Sequence, residues 1–128
     1  MRVLLDTHLI LTLLAPGTER YARLKGIMQR ERVEPFGSVA SLWEIAIKTR
    51  LGKLDPGLDL DSIPAFLEAF EIRMLPIEAR HVIAAVEPSP PTRDLFDRLL
   101  LAICGVEGFR LATVDRLLIR HPLAFDVS

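Results

Sequence analysis

The chain has 128 residues, which predicts a single domain over residues 1–128. Half of the residues are hydrophobic, a fraction that excludes a disordered chain, and the single cysteine, Cys104, excludes both a disulfide framework and a multi-cysteine zinc site. Sixteen Lys and Arg residues against 17 Asp and Glu residues give a net charge of -1, so any contact with nucleic acid must come from a local patch.

Strands and helices are predicted to alternate along the chain, from the spacing of apolar residues and the positions of Gly and Pro. In the first half, the predicted elements in chain order are a strand at Arg2–Leu5, helices at His8–Leu14 and Glu19–Arg32, a strand at Pro35–Gly37 and a helix at Val39–Arg50. In the second half, they are a helix at Leu60–Phe70, a strand at Arg73–Pro76, helices at Glu78–Val86 and Asp94–Gly105, a strand at Arg110–Thr113, a helix from about Asp115 and an edge strand at Phe125–Val127. This alternation predicts an α/β fold, a three-layer α/β/α sandwich around a mostly parallel sheet of four to five strands.

The apolar run in the N-terminal segment is too short to cross a membrane. Its longest clean run, Leu9–Ala15, is far below the roughly 20 residues that a membrane span needs, and Asp6 and His8 interrupt the pattern of a signal peptide. We therefore expect a soluble cytoplasmic protein that does not associate with membranes.

Acidic residues at the ends of predicted strands and helices are the candidate functional groups. Ligands of parallel α/β sheets bind beyond the carboxyl ends of the strands, where Asp6 and Asp115 lie, although each residue alone is also a common helix N-cap. Glu44 lies among apolar residues of a predicted helix, where an unpaired carboxylate is costly, and its alternative role is a capping box with Ser41. Asp94 and Asp97 share one helix face, and Asp94 is better suited to a cap or an outer ligand position.

Carboxylates that converge at one sheet edge repel one another unless a cation lies among them. Oxygen ligands suit Mg²⁺ or Mn²⁺ better than zinc, and such ions promote phosphodiester hydrolysis. Thr7 and Thr113 are candidates to hold a ligand carboxylate or a water molecule. The sequence therefore predicts a metal-dependent phosphodiesterase whose catalytic and metal-binding acids are Asp6, Glu44, Asp97 and Asp115, with Asp94 and Thr113 behind them.

Four blocks of sequence carry a family resemblance. They are residues 4–8 (LLDTH), 41–48 (SLWEIAIK) with 51–54 (LGKL), 93–98 (RDLFDR) and 112–115 (ATVD). In this order and spacing they resemble PIN-domain ribonucleases, and especially the VapC-like toxins of bacterial toxin–antitoxin pairs. The resemblance implies that the same four acids hold Mg²⁺ or Mn²⁺, and that Asp94 matches the first acid of an Asp-Pro-Phe-Asp run.

The resemblance also implies a function and partners: endonucleolytic cleavage of RNA, a homodimer, and an antitoxin whose apolar and basic segment blocks the active-site groove. This chain departs from the usual pattern of that subfamily at two places. Thr92 and Leu95 stand where His and Pro are usual, and residues 120–122 (RHP) stand in place of a short Tyr/Gly turn.

Basic residues, histidines and the tryptophan are further candidates for a role near the acids. Candidates for phosphate contacts are Lys48, Arg50, Arg93 and Arg98, whereas the basic residues of helix 19–32 are interpreted as a solvated face. The three histidines are interpreted as satisfied surface or boundary residues rather than a metal site, and Trp43 as core or dimer packing.

Two other functions stay open at this point. One is a non-catalytic PIN-like module that binds RNA or a protein, against which a full set of acids argues. The other is a housekeeping RNA-processing nuclease without an antitoxin, which a neighbouring gene for a small DNA-binding antitoxin would exclude. A phosphoacceptor receiver domain is disfavoured, because it requires a lysine late in the chain and the last lysine here is Lys53.

Overall fold

The computed structural model describes all 128 residues and contains one five-stranded sheet. Its strands are β1 (Arg2–Leu5), β2 (Glu34–Ser38), β3 (Arg73–Leu75), β4 (Arg110–Thr113) and β5 (Ala124–Asp126). They lie in the order β3-β2-β1-β4-β5, and every neighbouring pair is parallel. The predicted α/β fold is confirmed, and the sheet is parallel throughout.

Six helices connect the strands. They are α1 (Thr7–Leu13), α2 (Glu19–Arg30), α3 (Val39–Arg50), α4 (Ile63–Ala69), which a 3₁₀ turn at Leu60–Ser62 precedes, α5 (Ala79–Val82) and α6 (Leu95–Glu107). None of them combines the length and hydrophobicity required to span a membrane. Helix α5 is shorter than predicted, and Gly108, at a φ of 75°, ends α6 two residues later than the sequence pattern indicated.

Both faces of the sheet are covered by helices, as the two side-chain directions of β1 show. Val3 and Leu5 belong to an apolar cluster with residues of α1 and α4, whereas Leu4 belongs to a second cluster with residues of α6. Successive side chains of a strand point to opposite faces, so these two clusters are the two core layers of the sandwich. Burial on both faces explains why β1 is a continuous apolar run rather than an alternating one.

The strand order reverses beside β1, and this reversal positions the candidate site. From β1 the chain builds the sheet outward through β2 and β3, then returns to place β4 on the other side of β1. Leu5 pairs with Ala112, and the backbone N–H of Asp6 donates to the Ala112 carbonyl at 3.1 Å. Asp6 and Thr113 therefore emerge together at the carboxyl ends of two adjacent parallel strands, where ligands of such folds bind.

The predicted helix from Asp115 is wrong. Residues 116–120 form successive turns instead, and the backbone N–H of His121 donates to the Leu118 carbonyl at 2.9 Å. Leu118 is fully buried, and Pro122 follows closely, so the segment is pinned to the core and cannot continue as a helix before β5.

Candidate active site

One cavity of about 350 Å³ brings together all four acids that the sequence singled out. It lies at the carboxyl ends of β1 and β4, and its lining residues are Asp6, Thr7, His8, Glu44, Lys48, Asp94, Asp97, Val114 and Asp115. Most of this lining is polar or charged. The arrangement matches an ion-binding cavity better than an apolar ligand pocket.

Asp6 is both the N-cap of α1 and a wall of this cavity. Its Oδ1 accepts a hydrogen bond from the Leu9 backbone N–H at 2.8 Å, and its Oδ2 accepts one from the Thr113 hydroxyl. Burial raises the pKa of Asp6, although the bonds from Thr113 and Leu9 oppose the rise. The N-cap role is thus confirmed, and the same carboxylate lines the cavity, where a metal-binding role stays a prediction.

Thr113 joins two of the acids. Its hydroxyl donates to Asp6 and accepts from the backbone N–H of Asp115 at 3.0 Å. The Asp115 carboxylate in turn accepts from the Leu117 backbone N–H at 2.8 Å, which holds it in a turn rather than at a helix start. Thr113 is fully buried, so it fixes the positions of both acids without facing the cavity itself.

Glu44 lies inside α3 and does not open it. The N-cap is Ser38, whose Oγ accepts from the Ala40 backbone N–H at 3.0 Å, so the capping box suggested for Ser41 and Glu44 is wrong. The Ser41 hydroxyl instead accepts a bond from the Thr7 hydroxyl at 2.9 Å. The helix begins one turn earlier than that capping box requires.

The Glu44 carboxylate is buried and only half satisfied. Glu44 is 6% exposed; its Oε2 accepts a bond from the Lys48 ammonium one turn later, but its Oε1 is buried without a hydrogen-bond partner. An unsatisfied buried carboxylate oxygen is costly unless a cation or donor reaches it. The other buried polar side-chain atom without a partner is Thr49 Oγ1, so Glu44 Oε1 is the charged one of the two.

Asp94 and Asp97 contribute the wall formed by the start of α6. Asp94 is the N-cap, and its Oδ1 accepts from the Asp97 backbone N–H at 3.0 Å. Burial first, and then the charges of Asp94, Asp115, Glu44 and Asp6, raise the pKa of Asp97 to about 7. The sequence predicted repulsion of this kind from the convergence of the acids.

Thr92 is a residue that sequence reasoning noted only as a departure from the family pattern. Its buried hydroxyl accepts from the Asp94 backbone N–H at 3.1 Å and lies 3.4 Å from Asp97 Oδ2. The Arg98 guanidinium donates to the carbonyls of Thr92 and Pro90 at 2.8 and 3.2 Å. A hydroxyl two residues before an N-cap is a recognisable turn signal, which could have identified Thr92 from sequence.

The basic candidates separate into two groups. Lys48 lines the cavity, with 42% of its side chain exposed. Arg50, Arg93 and Arg98 do not line it, and the Arg98 guanidinium is engaged with the backbone of the loop before α6. Among the four basic residues that the sequence proposed for phosphate contacts, the structure places only Lys48 beside the acids.

A second group of possible ligands lies elsewhere and is already satisfied. Glu78, His81 and Glu107 bring their ligand atoms within 4.8 Å of one another. His81 Nε2 lies 2.8 Å from Glu107 Oε1, and Arg80 pairs with both glutamates. We interpret this group as a hydrogen-bonded link between α5 and α6.

The PIN domain family model matches residues 3–122 of the chain. The chain belongs to the PIN domain family. Members of this family are generally nucleases that use divalent metal ions. No curated protein matches the chain.

A solved structure shows the same fold. VapBC2 from Rickettsia felis, bound to a DNA fragment from its promoter, matches with a TM-score of 0.63 over 98% of this chain and 96% of that chain. The sequence identity is 15%, so this likeness establishes the fold alone.

The residues of this PIN domain fit a divalent cation. Apart from the His8 imidazole and the Lys48 ammonium, the polar groups that line the cavity are carboxylates and the Thr7 hydroxyl, the oxygen ligands that Mg²⁺ and Mn²⁺ prefer. The partnerless Oε1 of Glu44 and the raised pKa of Asp97 both indicate a missing positive charge.

Replacing Asp97 by Asn is expected to stabilise the metal-free protein at high pH. Because the folded-state pKa of about 7 exceeds the usual 3.8, the folded state binds this proton more tightly, and its stability falls as pH rises from about 4 to 7. Asp97→Asn removes that loss, so the melting temperature of the variant should exceed that of the wild type at about pH 8, with the gap closing toward pH 4. A gap that does not change with pH in EDTA would contradict this account.

Replacing Lys48 by Gln is expected to lower the stability of the metal-free protein and to raise its affinity for a metal ion. The metal-free variant should lose about 1 kcal/mol of unfolding free energy, because Glu44 keeps a buried charge without its partner. Calorimetric titration should show several-fold tighter Mn²⁺ binding, because the ammonium no longer competes for Glu44. Lys53→Gln, which removes the same charge from an exposed position, is the control.

A double-mutant cycle distinguishes competition for Glu44 from a general change in the field. If Lys48 acts through Glu44, Lys48→Gln should leave Mn²⁺ affinity unchanged in a Glu44→Gln background. An equal gain in Mn²⁺ affinity in both backgrounds would mean that Lys48 acts through its electrostatic field rather than through its bond to Glu44.

Proposed function

We propose that the chain is a Mg²⁺- or Mn²⁺-dependent endoribonuclease and the toxin of a toxin–antitoxin pair. The observation that carries the metal-dependent chemistry is the convergence of Asp6, Glu44, Asp97 and Asp115 on one cavity, where a buried glutamate oxygen lacks a partner. Membership of a family of nucleases supports hydrolysis as the reaction. The four acids in their roles as metal ligands and catalytic residues are part of this proposal.

A divalent ion held by Asp6, Glu44, Asp97 and Asp115 would lower the pKa of a water molecule and stabilise the negative charge that builds on the leaving oxygen. Thr113 holds the Asp6 carboxylate and the Asp115 backbone, and the Leu117 N–H holds the Asp115 carboxylate, so both acids are preorganised toward a cation. With its pKa raised to about 7, Asp97 is partly protonated near neutral pH, and a nearby cation would favour its ionised form. Lys48, once free of Glu44, is positioned to contact the phosphodiester.

The toxin role rests on the resemblance to VapC-like proteins and on the fold shared with a VapBC complex. In this proposal RNA is the substrate, an antitoxin occupies the cavity when the protein is inactive, and the protein is a cytoplasmic homodimer of one-domain subunits. Exposed apolar side chains support a protein partner: Leu95 is 80% exposed, and Trp43, packed edge-to-face on Phe96, is 59% exposed. The interpretation of Trp43 as a core residue is therefore wrong, whereas dimer packing stays a prediction.

Two alternatives differ from this proposal in their observables. A binding module without catalysis has no need for a buried, partnerless carboxylate oxygen, which argues for the nuclease. A housekeeping nuclease would use the same acids on RNA but would not require an antitoxin.

Cleavage of structured RNA by the purified protein tests the nuclease. We expect cutting with Mg²⁺ or Mn²⁺, none in EDTA, and a loss of more than about 100-fold in Asp97→Asn and Glu44→Gln, because even residues behind metal ligands typically contribute 10–100-fold. Lys53→Gln should cut like the wild type. Activity shared equally by the wild type and both acid variants would refute the assignment, and failure of all of them across several RNAs would favour the binding module.

Expression in a bacterial host tests the toxin role. Wild-type protein should arrest growth, whereas Asp97→Asn and Glu44→Gln, made in equal amounts, should not, because their cleavage is lost. Equal toxicity of the three proteins would count against a nuclease toxin. Cleavage in vitro without growth arrest would favour the housekeeping enzyme.

A further inference from the structure

A second cavity adjoins the acidic one. It has a volume of about 270 Å³, and its lining includes His8, Leu9, Arg20, Arg23, Leu24 and Val114. His8 and Val114 line both cavities, so the two are adjacent at the edge of the sheet. We call the cavity beside α2 the groove.

Two arginines give this groove the charge opposite to that of the acidic cavity. Arg20 and Arg23 lie three residues apart in α2, a spacing that places them on one face of the helix. Both are exposed, and neither donates a side-chain hydrogen bond or forms an ion pair; the ion pairs of the chain use Lys48, Arg80 and His81. Their guanidinium groups are free to bind an anion.

Part of the groove lining between the arginines and the sheet is apolar, and Thr12 and Ser128 lie beside it. Leu9 and Leu24 are buried members of one core cluster, and Val127, directly after β5, belongs to the same cluster. A guanidinium pair above an apolar floor suits a ligand that alternates anionic groups with flat or apolar ones. Single-stranded RNA alternates in that way, with phosphates for the arginines and riboses or bases for the floor.

We propose that this groove is a phosphate-binding subsite for the RNA strand beyond the scissile phosphate, with Arg20 and Arg23 as its phosphate ligands. The inference rests on the proposed nuclease function and names where the rest of the substrate lies. The charges of the two cavities favour RNA over a peptide. A peptide that filled both cavities would need basic side chains opposite the acids and acidic side chains opposite the arginines, at matching positions along its chain. RNA needs only its uniform backbone, and the net charge of -1 requires such a local patch for binding.

Binding of labelled single-stranded RNA, followed by fluorescence anisotropy, tests the subsite. The protein carries Asp97→Asn in Mg²⁺ buffer, so that the RNA stays intact. Adding Arg20→Gln with Arg23→Gln should weaken binding of an RNA of about a dozen nucleotides roughly ten-fold, and the slope of log K against log salt should fall by about 0.7 for each lost phosphate contact.

Lys25→Gln with Arg30→Gln is the matched control, because it removes the same charge from the same helix without touching the groove lining. This control should retain the affinity for the same RNA. With Asp97 restored, the Arg20 and Arg23 variant should raise KM for the same RNA and leave kcat unchanged, since the subsite binds substrate away from the reacting atoms.

Three results would overturn the subsite. Equal losses in the groove and control variants would assign the effect to the general field of α2. Unchanged RNA binding in the groove variant would leave the nuclease function intact but remove the RNA subsite. If the same variant also bound a protein partner more weakly, the groove would be a protein interface. If the parent protein neither binds nor cleaves RNA, the proposed function itself fails, an outcome that the wild-type assay reveals before any arginine is changed.

Discussion

Repulsion among carboxylates crowded into one cavity is the constraint on which the rest of this structure depends. Asp6 and Glu44 are buried and Asp97 is half-buried beside them, so the fold holds negative charges where water screens them poorly. The two apolar layers around the sheet must offset this cost in the metal-free protein. Lys48 is the only lysine or arginine lining the cavity, and it satisfies one oxygen of one acid. The cavity therefore remains short of positive charge, which is the condition for tight binding of a divalent ion.

The parallel pairing of β1 with β4 creates this constraint. Asp6 and Thr113 are 107 residues apart in sequence, yet the reversal of strand order makes their strands neighbours in the sheet. One buried hydroxyl then serves two acids, since Thr113 donates to Asp6 and accepts from the backbone of Asp115. Valine at this position would keep the shape of Thr113 but leave Asp6 Oδ2 without its donor and the Asp115 backbone N–H without its acceptor. The site is thus built from the topology first and from side-chain hydrogen bonds second.

The sequence was sufficient wherever local chemistry alone decides the outcome. An apolar strand that ends in an acid placed Asp6, and the three-residue spacing placed Asp94 as a cap with Asp97 behind it. The sequence was insufficient where tertiary packing decides: Ser38 and Ser41 are both plausible caps, and a buried Leu118 replaces the expected helix after Asp115 by turns. Similarly, the apolar residues of α3 indicated a buried helix. The sequence pattern did not show that the face of α3 that carries Trp43 is left exposed.

Charge separation within a short distance reconciles a nearly neutral chain with nucleic-acid chemistry. A basic side chain is available to a phosphate only if no acid of the protein already holds it, and the cations near the site differ in this respect. Lys48 is bound to Glu44 and becomes available only when another cation takes that carboxylate, whereas Arg20 and Arg23 have no acidic partner. In the proposed function, an RNA strand docked on the free arginines would place its next phosphates toward the acids, where a metal ion and a released lysine would act together. In this arrangement the net charge of the protein matters less than which of its cations are left unpaired by the fold.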